Sequence, residues 1–183
     1  SVNGNGLQVF GTITKTAVAT GADLVGYSGW SGSNYLQQPY NADLDFGTGD
    51  FSVMGWVKKS SNSSVDTIFS NEALATSGGA MLFGTSGDKL YLGRAASNSL
   101  ATRILGGTSV GTGSWVFASV VKTGGNVYLY LNGASDATPV ADALDYTFTA
   151  PTAGVGWFST ANPFSLDGSL ALLRISATAP SAE

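Results

Sequence analysis

Short apolar stretches, divided by turn residues at intervals of roughly ten residues, are what most restrict the folds open to this chain. The strongest is Asp50-Phe51-Ser52-Val53-Met54-Gly55-Trp56-Val57-Lys58, which follows the turn-rich run from Asn41 to Gly49. β-branched and aromatic residues fit a pleated surface. At period two, Phe51, Val53, Gly55 and Val57 face one way, and Ser52, Met54, Trp56 and Lys58 face the other. Large apolar groups on both faces predict a central strand covered on both sides for much of its length.

The same pattern recurs on either side. Residues 79–84 and 89–93 flank Thr85-Ser86-Gly87-Asp88 and read as a hairpin. Trp115 to Val121 is extended, Thr123-Gly124-Gly125-Asn126 turns, and Val127 to Leu131 returns before Asn132-Gly133. In the return strand Val127, Leu129 and Leu131 share a core face. Tyr128 and Tyr130 share the other, where an amphipathic ring can meet water. Further strands are expected at Leu24 to Tyr27, Asn34 to Gln38, Asp66 to Ser70, Thr147 to Thr149 and Phe164 to Ser176. Asn71 to Ala75 is the best helical fragment and spans barely one turn. Strands without helices of normal length predict an all-β, two-sheet antiparallel β-sandwich. No fixed-period repeat points to a solenoid or propeller.

The 183 residues suit one domain. Only 11% of them are charged, against about 25% in an ordinary globular chain. The surface is therefore rich in Ser, Thr, Asn, Gly and Ala. With a net charge of -4, it suits neither nucleic acid nor anionic membrane. It does suit neutral glycans or close packing in an assembly. Cysteine and histidine are absent, which removes Ser-His and Cys-His catalysis and the commonest zinc ligands. No apolar run approaches the roughly 18 residues of a membrane span. Residues 1–17 read as a lead-in from an upstream region, 18–178 as the sandwich and 179–183 as a tail.

Three groups of residues together resemble the laminin-G-like, concanavalin A-like sandwich family. The first comprises Asn34-Tyr35-Leu36, Leu44 to Val53 and Trp56-Val57-Lys58. The second comprises Gly113-Ser114-Trp115, Ala118 and Tyr130-Leu131-Asn132-Gly133. The third is Gly168 to Ser176 with Arg174. Their order and spacing span about residues 18–178, and the resemblance implies a jelly-roll sandwich. The family often carries an acidic pair before the closing Arg, where an Asp helps hold a structural calcium. Here Ala171 and Leu172 stand at those positions, so no metal and no other cofactor is expected. Asp23, Asp43, Asp45 and Asp167 remain as oxygen donors open to some other site; Asp43 and Asp45, at i and i+2, look like such a cluster but are better read as turn formers that bond their own backbone. Residues 9–16 and 34–40 resemble segments that precede such domains in phage and prophage structural proteins.

That scaffold hosts lectins, adhesive modules, glycan-cleaving enzymes and virion proteins, so function has to be read from a site. Retaining glucanases on it carry Glu-x-Asp-x-Glu on one strand. Here the glutamates are Glu72 and the terminal Glu183, and no enzyme is expected. Aromatics beside amides suit sugars, whose apolar faces stack while their hydroxyls bond the amides. Trp30 sits in Ser-Gly-Trp-Ser-Gly, Tyr35 and Tyr40 flank Gln37-Gln38, and Trp157 lies upstream of Asn162. With Tyr128 and Tyr130 these form the candidate ligand-binding set. Trp30 and Trp157 have a competing reading as plugs at the ends of the sandwich. The expectation is a non-catalytic carbohydrate-binding attachment module of a virion or other extracellular, surface-exposed protein. It would meet a host or cell-surface glycan and other virion subunits, and a homo-oligomer is compatible with the low charge. The alternatives are a structural module that packs on neighbouring subunits and, third, a glycan-degrading enzyme.

Overall fold

The computed structural model describes residues 6–62, 65–71, 81–96, 99–147, 152–158 and 164–180. Within them the strands are β1 (Gln8–Phe10), β2 (Thr14–Ala17), β3 (Val25–Ser28), β4 (Tyr35–Pro39), β5 (Phe51–Lys59), β6 (Val65–Ser70), β7 (Met81–Ser86), β8 (Lys89–Ala96), β9 (Ser99–Ser109), β10 (Val116–Thr123), β11 (Asn126–Leu131), β12 (Ala134–Ser135), β13 (Val140–Ala141), β14 (Thr152–Val155) and β15 (Gly168–Ser176). They form two antiparallel sheets. One runs β1-β4-β14-β6-β7-β8-β9. The other runs β12-β11-β10-β5-β15-β3-β2, with β13 beside β11. The expected all-β sandwich is what the chain adopts. Residues 8–17, in the expected lead-in, supply an edge strand to each sheet. The helical fragment at 71–75, beyond Asn71, lies outside the described residues, as do Phe148 and Thr149. Thr147 is not in a strand.

The core forms where the inward faces meet. Phe51, Val53 and Val57 of β5 are fully buried against Ile68, Phe69, Phe83, Leu90 and Leu92 of the opposite sheet. β5 is central, between β10 and β15. The hairpin of β10 and β11 has the expected register, Thr123 opposite Asn126 across Gly124 and Gly125. Val127, Leu129 and Leu131 point inward, as alternation requires.

The expectation that β5 is covered on both faces needs correcting. Trp56 keeps 40% of its surface exposed, and Met54 and Lys58 are half-buried. The physical reason is an unequal layering of the two sheets. Outside the β4-β14-β6-β7-β8 region, residues that follow β14 fold back as a cover. Phe158 packs on Leu82 and Tyr91, and the Trp157 carbonyl accepts from Ser70 Oγ at 3.0 Å. Among the described residues no such layer lies over the outer face of the eight-stranded sheet; the tail touches it through Ser52 Oγ donating to the Thr178 carbonyl at 2.9 Å, and the Trp115 ring lies over Gly26 near its far edge.

Each end of the sandwich is pinned by a buried lysine. Lys59 on β5 reaches across to Asp66 on β6, Nζ to Oδ2 2.8 Å. Lys122 on β10 donates to the carbonyls of Thr48 and Leu144 at 3.0 and 3.1 Å and lies 5.1 Å from the centre of the Tyr146 ring.

Candidate functional site

The uncovered face is built by strand alternation. On β11, Tyr128 and Tyr130 point outward, their rings stacked 6.2 Å apart. Ser119 of β10 sits opposite Tyr130, and Met54 of β5 sits opposite Ser119. Two residues along β10, Phe117 pairs with Trp56, ring centres 5.6 Å apart. Tyr128, Tyr130, Phe117 and Trp56 thus form a stepped aromatic row across three neighbouring strands. Each stays partly exposed. Beyond Trp56, the Trp115 ring lies over Gly26, donates its indole N–H to the Val18 carbonyl at 3.3 Å, and has Lys58 Nζ 5.6 Å from its centre. A shallow apolar recess of about 230 Å³ lies between Trp56, Trp115, Leu24 and Val18. The row is rigid because its backbone is central sheet. Arg174 and Lys58 provide its charge, while the outward-facing Ser52 and Ser119 are buried beneath their neighbours.

The expected ligand-binding residues fall in separate places. Tyr128 and Tyr130 are on this face. Trp30 is 8% exposed and belongs to the main core. It also lines a polar cleft at the end of the sandwich. Trp157 is 2% exposed, stacked 4.2 Å from Tyr35, which stacks in turn 4.6 Å from Phe10. That stack closes the outside of the seven-stranded sheet. Tyr40 is exposed on a loop, its hydroxyl donating to Asp45 Oδ2 at 3.3 Å. Asn162 lies outside the described residues. Trp56, Phe117 and Trp115 were missed by the sequence reading. The signal was present, since Phe117 alternates with Val116, Ala118 and Val120 in the hairpin that places Tyr128 and Tyr130 outward.

Several of the carboxylates have structural partners. Asp66 meets Lys59, and Asp142 meets Arg103 at 3.4 Å and the Tyr146 hydroxyl at 2.7 Å. Asp50 accepts from Thr123 Oγ1 and Asp167 from Ser61 Oγ. Asp145 is held below the usual carboxylate range by the hydroxyl and N–H of Thr147. Burial, and then the bond to Asp142, push the Tyr146 phenol well above its ordinary value. Burial also raises that of Tyr91. Glu72 lies outside the described residues. Among the described residues no three acidic groups gather as a cation site. Ala171 and Leu172 sit in a bulge of β15, where Leu172 takes a φ of 51°.

Three comparisons place this geometry. Domain 4 of AbnA, a GH43 extracellular arabinanase from Geobacillus stearothermophilus, solved with arabinotriose, superposes with a TM-score of 0.69 at 18% identity, over 96% of this chain and 84% of that one. The type C botulinum neurotoxin domain, from a structure describing cell entry dependent on two ganglioside molecules, gives 0.66 at 16% identity. A serotype DC binding domain in complex with SialylT gives 0.66 at 18%. Each toxin match covers 98% of this chain, which spans 45% of the toxin domain's length. At these identities the likeness concerns the fold. No curated protein matches in sequence. A laminin-G-like family model does match, over residues 30–183, and on that match the chain belongs to the concanavalin A-like lectin/glucanases superfamily.

Proposed function

We propose that this chain is a non-catalytic carbohydrate-binding module that lays a neutral glycan along the outer face of its eight-stranded sheet. The observation that carries this reading is the exposed row of Tyr128, Tyr130, Phe117 and Trp56 on a rigid sheet left uncovered among the described residues. Successive sugar rings would stack on successive aromatics, while Lys58 and Arg174 bond hydroxyls. The neighbours support carbohydrate as the ligand, one having been solved with arabinotriose, which is neutral, and one described with gangliosides, which carry sialic acid. The carboxylates support a binding role over cleavage, since Asp50, Asp66, Asp142, Asp145 and Asp167 each hold structural partners. The setting is a virion or other extracellular, surface-exposed protein, as the phage-like segments at 9–16 and 34–40 imply, and the task is attachment. The test is a glycan array with the wild-type chain, repeated with Trp56→Ala and Tyr130→Ala. A glycan that both variants lose at least tenfold while staying folded supports the reading. Equal binding by all three overturns it.

A second reading has one observation of its own. Leu24 and Trp56, each 40% exposed, flank the same apolar recess, which suits packing against a neighbouring subunit. Sedimentation at rising concentration separates the two: association abolished by Leu24→Ser with glycan binding intact would assign the recess to packing.

A further inference from the structure

A polar cleft of about 500 Å³ opens at the end of the sandwich where β3 and β5 end and β15 begins. It is walled by Ser28, Trp30, Ser60, Asp167 and Ser169. That volume lies within the range of small-ligand sites, about 300–1,000 Å³. The frame is fixed to the core on two sides. Ser60 N–H donates to the Asp167 carbonyl at 2.9 Å, and Asp167 N–H donates to Asp66 Oδ1 at 3.1 Å. Asp66 is held by the buried Lys59 ammonium. Gly168 lies so close to the Lys58 carbonyl that no Cβ fits there. The Asp167 carboxylate is oriented by Ser61, whose Oγ donates to Oδ2 at 2.6 Å. Trp30 also lines the cleft, its indole N–H buried and without an acceptor among the described residues.

We infer that this cleft is a second binding site, separate from the aromatic row, that takes the terminal residue of a neutral sugar chain. A carboxylate in a wall that also carries serines accepts from adjacent sugar hydroxyls, and the serines both donate and accept. The same carboxylate repels acidic sugars. With a single acid in its walls, the cleft does not present the clustered oxygens that a hard cation takes. The indole gives the sugar an apolar wall. The ligand class rests on the carbohydrate reading above, but the cleft does not depend on the aromatic row.

The test uses the whole chain labelled with nitrogen-15. Its four tryptophans give four indole N–H resonances, assigned through their own backbone amides. The probes are the methyl glycosides of glucose, galactose, mannose and arabinofuranose, with arabinotriose as the chain and the methyl glycoside of sialic acid as the acidic comparator. The expected result is a saturable shift of the Trp30 resonance with at least one neutral methyl glycoside and none with the sialoside. Asp167→Asn, nearly isosteric, weakens that shift at least tenfold, and Trp56→Ala leaves it unchanged. The proposal is overturned if no neutral probe moves Trp30 at concentrations up to about 50 mM, well beyond a millimolar Kd, or if Asp167→Asn binds as the wild type does. Arabinotriose moving Trp56 but not Trp30 would sink the cleft and leave the sheet-face reading standing; the reverse would do the opposite.

Discussion

Lys59 and Asp66 form an ion pair across the interior of the sandwich, Nζ to Oδ2 2.8 Å, with side-chain exposures of 0% and 2%. The ammonium spends its other protons on Thr85 Oγ1 and the Gly87 carbonyl, and Thr85 donates to the same carboxylate. Every hydrogen of the charge therefore has an acceptor. Removing one partner strands a buried charge and costs about 3–5 kcal/mol. Lys59→Met and Asp66→Asn should each lower the urea midpoint by that measure. The double variant removes both charges and keeps an oxygen for Asp167 N–H. It should fall short of the summed cost by about 1–3 kcal/mol. Additive costs would mean that the two residues are not coupled.

Phe51 and Trp56 stand on opposite faces of one strand and should respond differently to truncation. Phe51 is fully buried, stacked 4.7 Å from Phe46 and set edge-on to Tyr146 at 5.3 Å. Phe51→Ala leaves a cavity and should cost about 3–5 kcal/mol. Trp56 is 40% exposed, so Trp56→Ala should cost only about 1–2 kcal/mol. Equal shifts in denaturant midpoint would show that the Trp56 face is covered after all.

That contrast marks how far the sequence could be read. Period-two alternation is local, so it located β5, the 116–131 hairpin and the outward tyrosines. It could not say which faces of a sheet are covered, because cover comes from distant chain. Trp157 and Phe158 close one sheet and nothing comparable among the described residues closes the other, which left Trp56 and Phe117 unread as a pair. β9 escaped notice for a similar reason. Ser99 to Ser109 mixes Gly106 and Gly107 with exposed Thr102 and Leu105, as an edge strand can, and it is recognisable by its pairing with β8. Trp30, in a run of Ser and Gly, reads as a loop residue. Only the fold brings Gly156 beneath its ring.

Tyr146 should govern part of the alkaline behaviour. Its phenol is buried, donates to Asp142 at 2.7 Å, and titrates well above the ordinary value near 10. The folded chain thus holds this proton more tightly than the unfolded chain. The stabilisation is complete below about pH 10 and is lost as pH rises toward the folded value. Beyond the Tyr91 phenol, which burial also raises, phenolate absorbance should show a last component far above pH 10, together with loss of near-ultraviolet circular dichroism. Tyr146→Phe should delete that component. Its persistence would assign it elsewhere.

Chelation should leave the melting temperature where it is. Asp43 lies within a single turn of 3-10 helix, Ala42–Leu44, which Asn41 Oδ1 caps by accepting from Asp43 N–H at 2.9 Å and which Asp45 ends. Asp45 takes the Tyr40 hydroxyl, and Asp167 is turned toward Ser61. A fall of several degrees in EDTA, restored by calcium, would reveal a bound ion that stabilises by mass action.

Gly156 should be among the least replaceable glycines of the described turns. Its φ is +73°, and a Cβ there would lie inside the Trp30 ring. Its N–H donates to the Ile68 carbonyl, and its own carbonyl accepts from Leu166 N–H, so the backbone cannot easily retreat. Gly156→Ala must therefore displace a ring that is 8% exposed in the main core, and overpacking with a left-handed backbone should cost about 2–4 kcal/mol. Gly133, at φ +81° with nothing within 4 Å of a built Cβ, supplies the control. Gly133→Ala carries the backbone term alone, about 1 kcal/mol. The displaced indole should also red-shift the tryptophan emission of Gly156→Ala and not that of Gly133→Ala. Equal destabilisation with unchanged emission would mean that Trp30 is not seated on Gly156, and the wall of the end cleft would have to be drawn differently.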